Sequence, residues 1–129
     1  MAKEEKFKVA SIDVNFVVSS SKEVLALKQE QAMKERDLKI WLSTVNTDVM
    51  KQGTREEQQL LVNKYNAEFA QRQDTIKREY AMKLQEIDRN ITAIIADVAQ
   101  KEKYDMVFAK GTVLYGGDDI TAKIAELVK

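Results

Sequence analysis

Between Ser20 and Lys103 the chain carries no proline and one glycine, Gly53. A third of its 129 residues are charged, yet 44% are hydrophobic. The apolar ones recur at helical spacing. Such a stretch can do little but form long helices, broken once where the glycine stands.

The breaks are marked by capping patterns. Ser20-Ser21-Lys22-Glu23 fits a capping box, with Ser20 at the N-cap and Glu23 reaching back. A first helix then runs to about Gln52, on the order of 50 Å. Its apolar seam is Val24, Leu27, Leu38, Trp41, Val45 and Val49. From Lys28 to Asp37 the seam lapses, with only Ala32 and Met33 apolar. This segment predicts a weak, bendable stretch, because little there can be buried. Gly53 is the expected left-handed C-cap, and Thr54-Arg55-Glu56-Glu57 is a second capping box. Adjacent stop and start signals predict a helical hairpin with its tip near residue 53.

The second helix should run from Thr54 to about Lys103, on the order of 75 Å. Its seam is Val62, Tyr65, Phe69, Gln73, Ile76, Tyr80, Leu84, Ile87, Ile91, Ile94 and Val98. Much of this spacing is an eleven-residue period, which favours a nearly straight or slightly right-handed helix pair. The densest apolar stretch is its far end, Ile91 to Ala99, which needs cover beyond the first helix.

Short strands flank the helices. Residues 7–14, FKVASIDV, read as one, with Asp13 capping a helical turn that brings Phe16 and Val17 inward. Met106-Val107-Phe108 and Val113-Leu114-Tyr115 read as two more, joined by a tight Lys110-Gly111 turn. Asp118 or Asp119 should cap a last helix with Ile120, Ile124, Leu127 and Val128 on one face.

So little sheet rarely folds unaided, and open strand edges invite other chains. Pooling strands between copies solves both problems. Val9, Ile12, Val107, Phe108, Val113, Leu114 and Tyr115 are the candidate oligomerisation residues. The apolar residues off the seams form a second candidate surface. Met33, Ile40, Leu42 and Met50 stand on the first helix, Leu61 and Met82 on the second, and all are candidates for binding a client. Methionine is adaptable enough for varied partners.

The exclusions are broad. There is no His and no Cys, hence no imidazole or thiol chemistry and no ordinary zinc site. Gly116-Gly117 is followed by Asp118-Asp119, which repels phosphate. Catalysis is not expected, nor are a cofactor and a metal. Basic and acidic residues number 21 each, so nucleic acid is not an expected partner either. No stretch approaches the length of a transmembrane helix. The start, MAKEEKFKVA, has no apolar run of signal-peptide length. Either the protein is cytosolic or the chain begins after a removed signal, behind an added Met1.

The residues also resemble a known family. Tyr104-Asp105-Met106-Val107, Val113-Leu114-Tyr115 and Asp119-Ile120-Thr121, with Lys8-Val9-Ala10 and Ile12-Asp13-Val14, are similar in order and spacing to the Skp/OmpH family of periplasmic chaperones for outer-membrane proteins. The specific part is about 30 residues; the middle matches by pattern alone. The resemblance implies a mainly α chain with a small β hub. Residues 7–19 and 104–129 would form the β-rich body, and 20–103 a long antiparallel hairpin, or tentacle. Across residues 1–129 this is one domain, and three copies would form a jellyfish-like homotrimer. It further implies a periplasmic, ATP-independent holdase that keeps unfolded outer-membrane β-barrels in a cavity between tentacles. The neutral charge does not support the lipopolysaccharide or anionic-lipid binding found among basic relatives. Two alternatives come from the residues alone. One is a coiled-coil spacer or adaptor for one fixed partner; the other is a prefoldin-like cytosolic chaperone, whose strands would lie between the helices.

Overall fold

A computed structural model describes residues 7–129; Met1 to Lys6, where the chain's start was read, lie outside it. The protein is mainly helical with a small parallel sheet. In order come β1 (Val9–Ile12), α1 (Val14–Ser20), α2 (Lys22–Met50), α3 (Arg55–Lys101), β2 (Met106–Ala109), a 3-10 turn (Lys110–Thr112), β3 (Asp118–Asp119) and α4 (Thr121–Val128). The chain divides into two compact units. The first takes in the chain up to Ala26 together with Leu84–Lys129; the second is Leu27–Lys83.

The first unit holds most of the core. Ala10, Ile12, Val17, Val24, Ile87, Ile91, Val98, Ile120, Ile124, Ala125 and Val128 are buried there. The strand order is β2-β1-β3, with both neighbours parallel to β1. As the central strand, β1 is covered on both faces, so Ser11 is buried beside Ala10 and Ile12. The Ser11 carbonyl accepts from the Ile120 N–H at 3.0 Å. At the other end of β1, Asp105 Oδ2 accepts from the Lys8 N–H at 2.6 Å, and the Lys8 carbonyl from the Asp105 N–H at 2.7 Å.

The sheet differs from the expected hairpin. Lys110-Gly111 is not a tight turn but the start of a 3-10 turn, and Val113-Leu114-Tyr115 is not a strand within this chain. A two-residue hairpin turn needs positive φ at its centre, and Gly111 lacks it. The chain instead turns back through Gly116 and Gly117, at φ 91° and 81°. A Cβ on Gly117 would stand 3.2 Å from the Val9 carbonyl oxygen. Glycine is what lets this loop close on β1 and deliver β3 parallel to it.

The caps fall close to their expected places, with shifts. Asp13 Oδ1 accepts from the Phe16 N–H at 3.1 Å and caps α1, as its position suggests. Val17 is buried, but Phe16 points to solvent. The N-cap of α2 is Ser21, whose Oγ accepts from the Val24 N–H at 3.3 Å; Ser20 instead donates back to the Phe16 carbonyl at 2.8 Å. One residue moves because Ser20 still belongs to α1. Thr54 Oγ1 caps α3 by accepting from the Glu57 N–H at 3.1 Å.

Gly53 is not a left-handed cap. Helix α2 ends in 3-10-type bonds, Lys51 to Asp48 and Gln52 to Val49, which satisfy its last carbonyls without a change of hand. The left-handed cap sits at the end of α3. Lys103 has φ 61°, the Tyr104 N–H reaches the Ala99 carbonyl at 2.8 Å, and the Lys103 N–H reaches Gln100 at 3.2 Å. This bond pair is a Schellman motif with lysine in the glycine position. Lys103→Gly is therefore expected to stabilise the protein by roughly 0.5–1 kcal/mol. Urea unfolding at fixed protein concentration measures it.

The second unit is held differently. Among its described residues only Leu27 and Val45 are buried apolars. Leu38, Trp41, Val62, Tyr65, Phe69, Ile76 and Tyr80 are half-buried, and Gln73 is exposed. Trp41 and Tyr65 meet edge to face at 5.9 Å, and the Arg72 guanidinium lies 4.4 Å above the Trp41 ring. Ion pairs span the seam lapse. Lys34 meets Glu79 at 3.0 Å and Glu30 at 3.2 Å, and Lys83 meets Glu30 at 2.6 Å.

Candidate functional site

In the first unit the candidate assembly residues fall into two groups. Ile12 is buried within the chain, and Val9, Val107 and Val113 are half-buried in it. Phe108, Leu114 and Tyr115 are exposed; Leu114 and Tyr115 are bare, at 104% and 98%. Val113 keeps extended backbone, φ −104° and ψ 116°. Residues 113–115 thus combine strand-forming side chains, an extended start and no strand partner among the described residues. Phe7, Val14, Phe16, Met106 and Leu127 are also exposed in this unit. Sequence reasoning missed these five as surface residues. Phe16 and Leu127 were expected inside, and nothing in a single apolar residue tells which side of a thin sheet or short helix it takes.

A polar network holds the loop that carries Leu114 and Tyr115. The Tyr104 hydroxyl donates to Asp118 Oδ2 at 3.0 Å, and Lys8 Nζ lies 4.3 Å above the Tyr104 ring. Lys110 Nζ pairs with Asp119 Oδ2 at 2.8 Å. The Asp119 carboxyl also accepts from the Thr121 N–H at 3.0 Å and from the Thr121 hydroxyl. These bonds, that to Lys110 foremost, hold its pKa well below the usual carboxylate range. Asp119 is thus the residue that braces the start of α4, although Ile120 takes the N-cap position. Lys123 pairs with Glu102 and ties α4 to the end of α3.

In the second unit Met33, Ile40, Leu42, Met50 and Met82 are exposed, as expected of residues off the seams. Leu61 is half-buried, and its neighbour Leu60 is the outward one. An open groove of about 390 Å³ includes Leu42, Val49, Met50, Val62 and Tyr65. A second, of about 350 Å³, includes Leu38, Leu42, Phe69 and Ile76 with Lys39 and Lys77 at its edge. The exposed apolar residues are thus spread along both helices, beside shallow grooves. The ion pairs nearby leave their mark. Lys83, then Lys34, holds the Glu30 carboxyl below its ordinary range, and Glu79, then Glu30, raises Lys34.

Among the described residues no cluster of three or more acidic side chains could hold a metal, and no helix is long and apolar enough to cross a membrane. What the arrangement offers is exposed apolar surface.

A sequence model of the family described as Outer membrane protein (OmpH-like) matches residues 18–128. The match takes in α2, α3, β2, β3 and all of α4. No curated protein matches the chain.

Proposed function

The chain belongs to the OmpH-like family, and on that premise we propose that it is an ATP-independent holdase for unfolded outer-membrane β-barrel proteins. The family is one of periplasmic chaperones for outer-membrane proteins and not an enzyme family. The observation that carries the finer reading is the exposure in the second unit. Met33, Ile40, Leu42, Met50, Leu60 and Met82 face water there, while only Leu27 and Val45 are buried. Left in water, these side chains add little to the helix pair's own stability and are free to meet a client.

The proposed architecture is an antiparallel hairpin carried on a body that assembles through its strands. Cross-helix partners support the hairpin: Lys34 with Glu79, Glu30 with Lys83 and Asp48 with Tyr65 descend on one helix as they rise on the other. The bare Leu114 and Tyr115 support strand pooling between copies, and a homotrimer is the proposed result. The strands precede α1 and follow α3, whereas a prefoldin-like chain has them between its helices.

Capture by dispersed apolar contacts is weak per site and is multiplied by having several arms. With 21 basic and 21 acidic residues it should depend little on salt. The test changes Ile40, Leu42, Leu61 and Met82 together to Ser and measures suppression of aggregation of an unfolded outer-membrane β-barrel. We expect suppression to fall at least tenfold in effective concentration, about 1.4 kcal/mol, with the assembly mass unchanged. Undiminished suppression from low to high salt would place capture elsewhere. Loss with one fixed partner but not with unrelated unfolded proteins would favour the adaptor.

A further inference from the structure

The lapse in the apolar seam of α2 contains a five-residue pattern that recurs on α3. Glu30-Gln31-Ala32-Met33-Lys34 stands on α2, and Glu79-Tyr80-Ala81-Met82-Lys83 on α3. The likeness extends backwards, Leu27-Lys28 matching Ile76-Lys77. The two copies face each other. Each lysine reaches the glutamate of the other copy, Lys34 to Glu79 at 3.0 Å and Lys83 to Glu30 at 2.6 Å. The arrangement is reciprocal, as about a two-fold axis through the level of Ala32 and Ala81.

We propose that these two Glu-x-Ala-Met-Lys copies form a charge latch that fixes the register of α2 against α3 where the apolar core is missing. The reason lies in the neighbouring registers. In the observed one, both cross-helix pairs are attractive. A slip of one helical turn in one direction sets Lys34 against Lys83. The same slip in the other direction sets Glu30 against Glu79. Both errors place like charges together, and only the native register pairs them all. Charges used in this way choose an alignment more than they add stability. That fits their setting: the four side chains are 31% to 51% exposed, and each such pair contributes little on its own.

The packing beside the latch leaves this task to it. Leu38 and Ile76 line open grooves of about 480 Å³ on one side and 350 Å³ on the other. With open space beside them, these aliphatic groups discriminate poorly between registers a turn apart.

The test swaps charges. Glu30→Lys with Lys34→Glu reverses α2 alone, so that the native register becomes repulsive and both slipped ones attractive. Adding Glu79→Lys and Lys83→Glu reverses α3 as well and restores attraction in the native register. The native chain has no cysteine, so spin labels at Ala32→Cys and Ala67→Cys, both exposed, report the axial offset between the helices. These labels are diluted with unlabelled chain to remove distances between copies. We expect the α2 swap to shift or broaden the distance by about 6 Å, one four-residue slip, and the four-fold swap to recover the native distance. An unchanged distance in the α2 swap with helicity retained would overturn the latch. So would failure of the four-fold swap to recover it. Should the α2 swap lose its helices, the four-fold variant decides alone: recovery supports the latch and failure refutes it.

Discussion

Leu114→Asp combined with Tyr115→Ser should give a folded chain that no longer assembles. In absolute mass measurement the particle should fall to the mass of one chain, with its helical signal kept. The two side chains touch almost nothing in their own chain, being bare at 104% and 98%. Removing them therefore costs the isolated fold little. In an assembly each large apolar side chain would contribute about 1.5–3 kcal/mol on burial, repeated in every copy. A carboxylate left unpaired in such an interface costs more again. Phe108→Asp is the less selective probe. Phe108 lies on β2, in register with Ser11, and is only 38% exposed, so its loss damages fold and assembly together. A full-mass assembly from the Leu114 and Tyr115 double variant would remove residues 113–115 from the interface.

Those same residues show where the sequence was legible and where it was not. The helices were plain because a helix's signals are local: periodic seams, and caps such as Asp13 and Thr54, lie within a turn of what they cap. The strands were not, because a strand is completed by a partner that its own sequence does not name. Val113-Leu114-Tyr115 has the side chains of a strand, and Val113 the backbone, yet nothing among the described residues pairs with it. Read alone, it suggested a hairpin with Met106 to Phe108. The chain instead passes Gly117 beneath the Val9 carbonyl and places Asp118–Asp119 beside β1.

The candidate surfaces follow the same division. Off-seam residues such as Met33 and Met82 were legible as outward because the helical period fixes their direction. Leu61, expected outward, is half-buried because it adjoins Val62 of the seam, and adjacent apolar residues leave the seam's edge undecided by one position. The latch was missed because Lys28 to Asp37 was read for what it lacked. A search for internal repeats would have found it, since Glu-x-Ala-Met-Lys occurs twice, on helices already expected to pair.

The short α4 gives the second large effect and carries its own control. Its buried stripe is Ile120, Ile124, Ala125 and Val128, with Thr121 half-buried. At about 100° per residue the stripe is centred between Ile124 and Val128 on one side and Thr121 and Ala125 on the other. That centre leaves Leu127 about 110° away, at the rim, where it is 54% exposed. Four apolar residues at helical spacing had suggested Leu127 inside and had passed over Ala125. Ile124 is fully enclosed and holds α4 in the core of the first unit. Ile124→Ala should therefore cost about 2–5 kcal/mol, the range for a large side chain removed from a closed core. Leu127→Ala, one turn away on the same helix with the same helix former, should stay within about 0.5 kcal/mol. Both are read by urea unfolding at one protein concentration, since the proposed assembly would make the midpoint depend on concentration. Repeating the pair in the Leu114 and Tyr115 variant separates core from interface. A Leu127→Ala cost that appears in the assembled protein and vanishes in the single chain would assign Leu127 to the contact between copies. An Ile124→Ala cost no larger than that of Leu127→Ala in the single chain would mean that α4 is not anchored through Ile124.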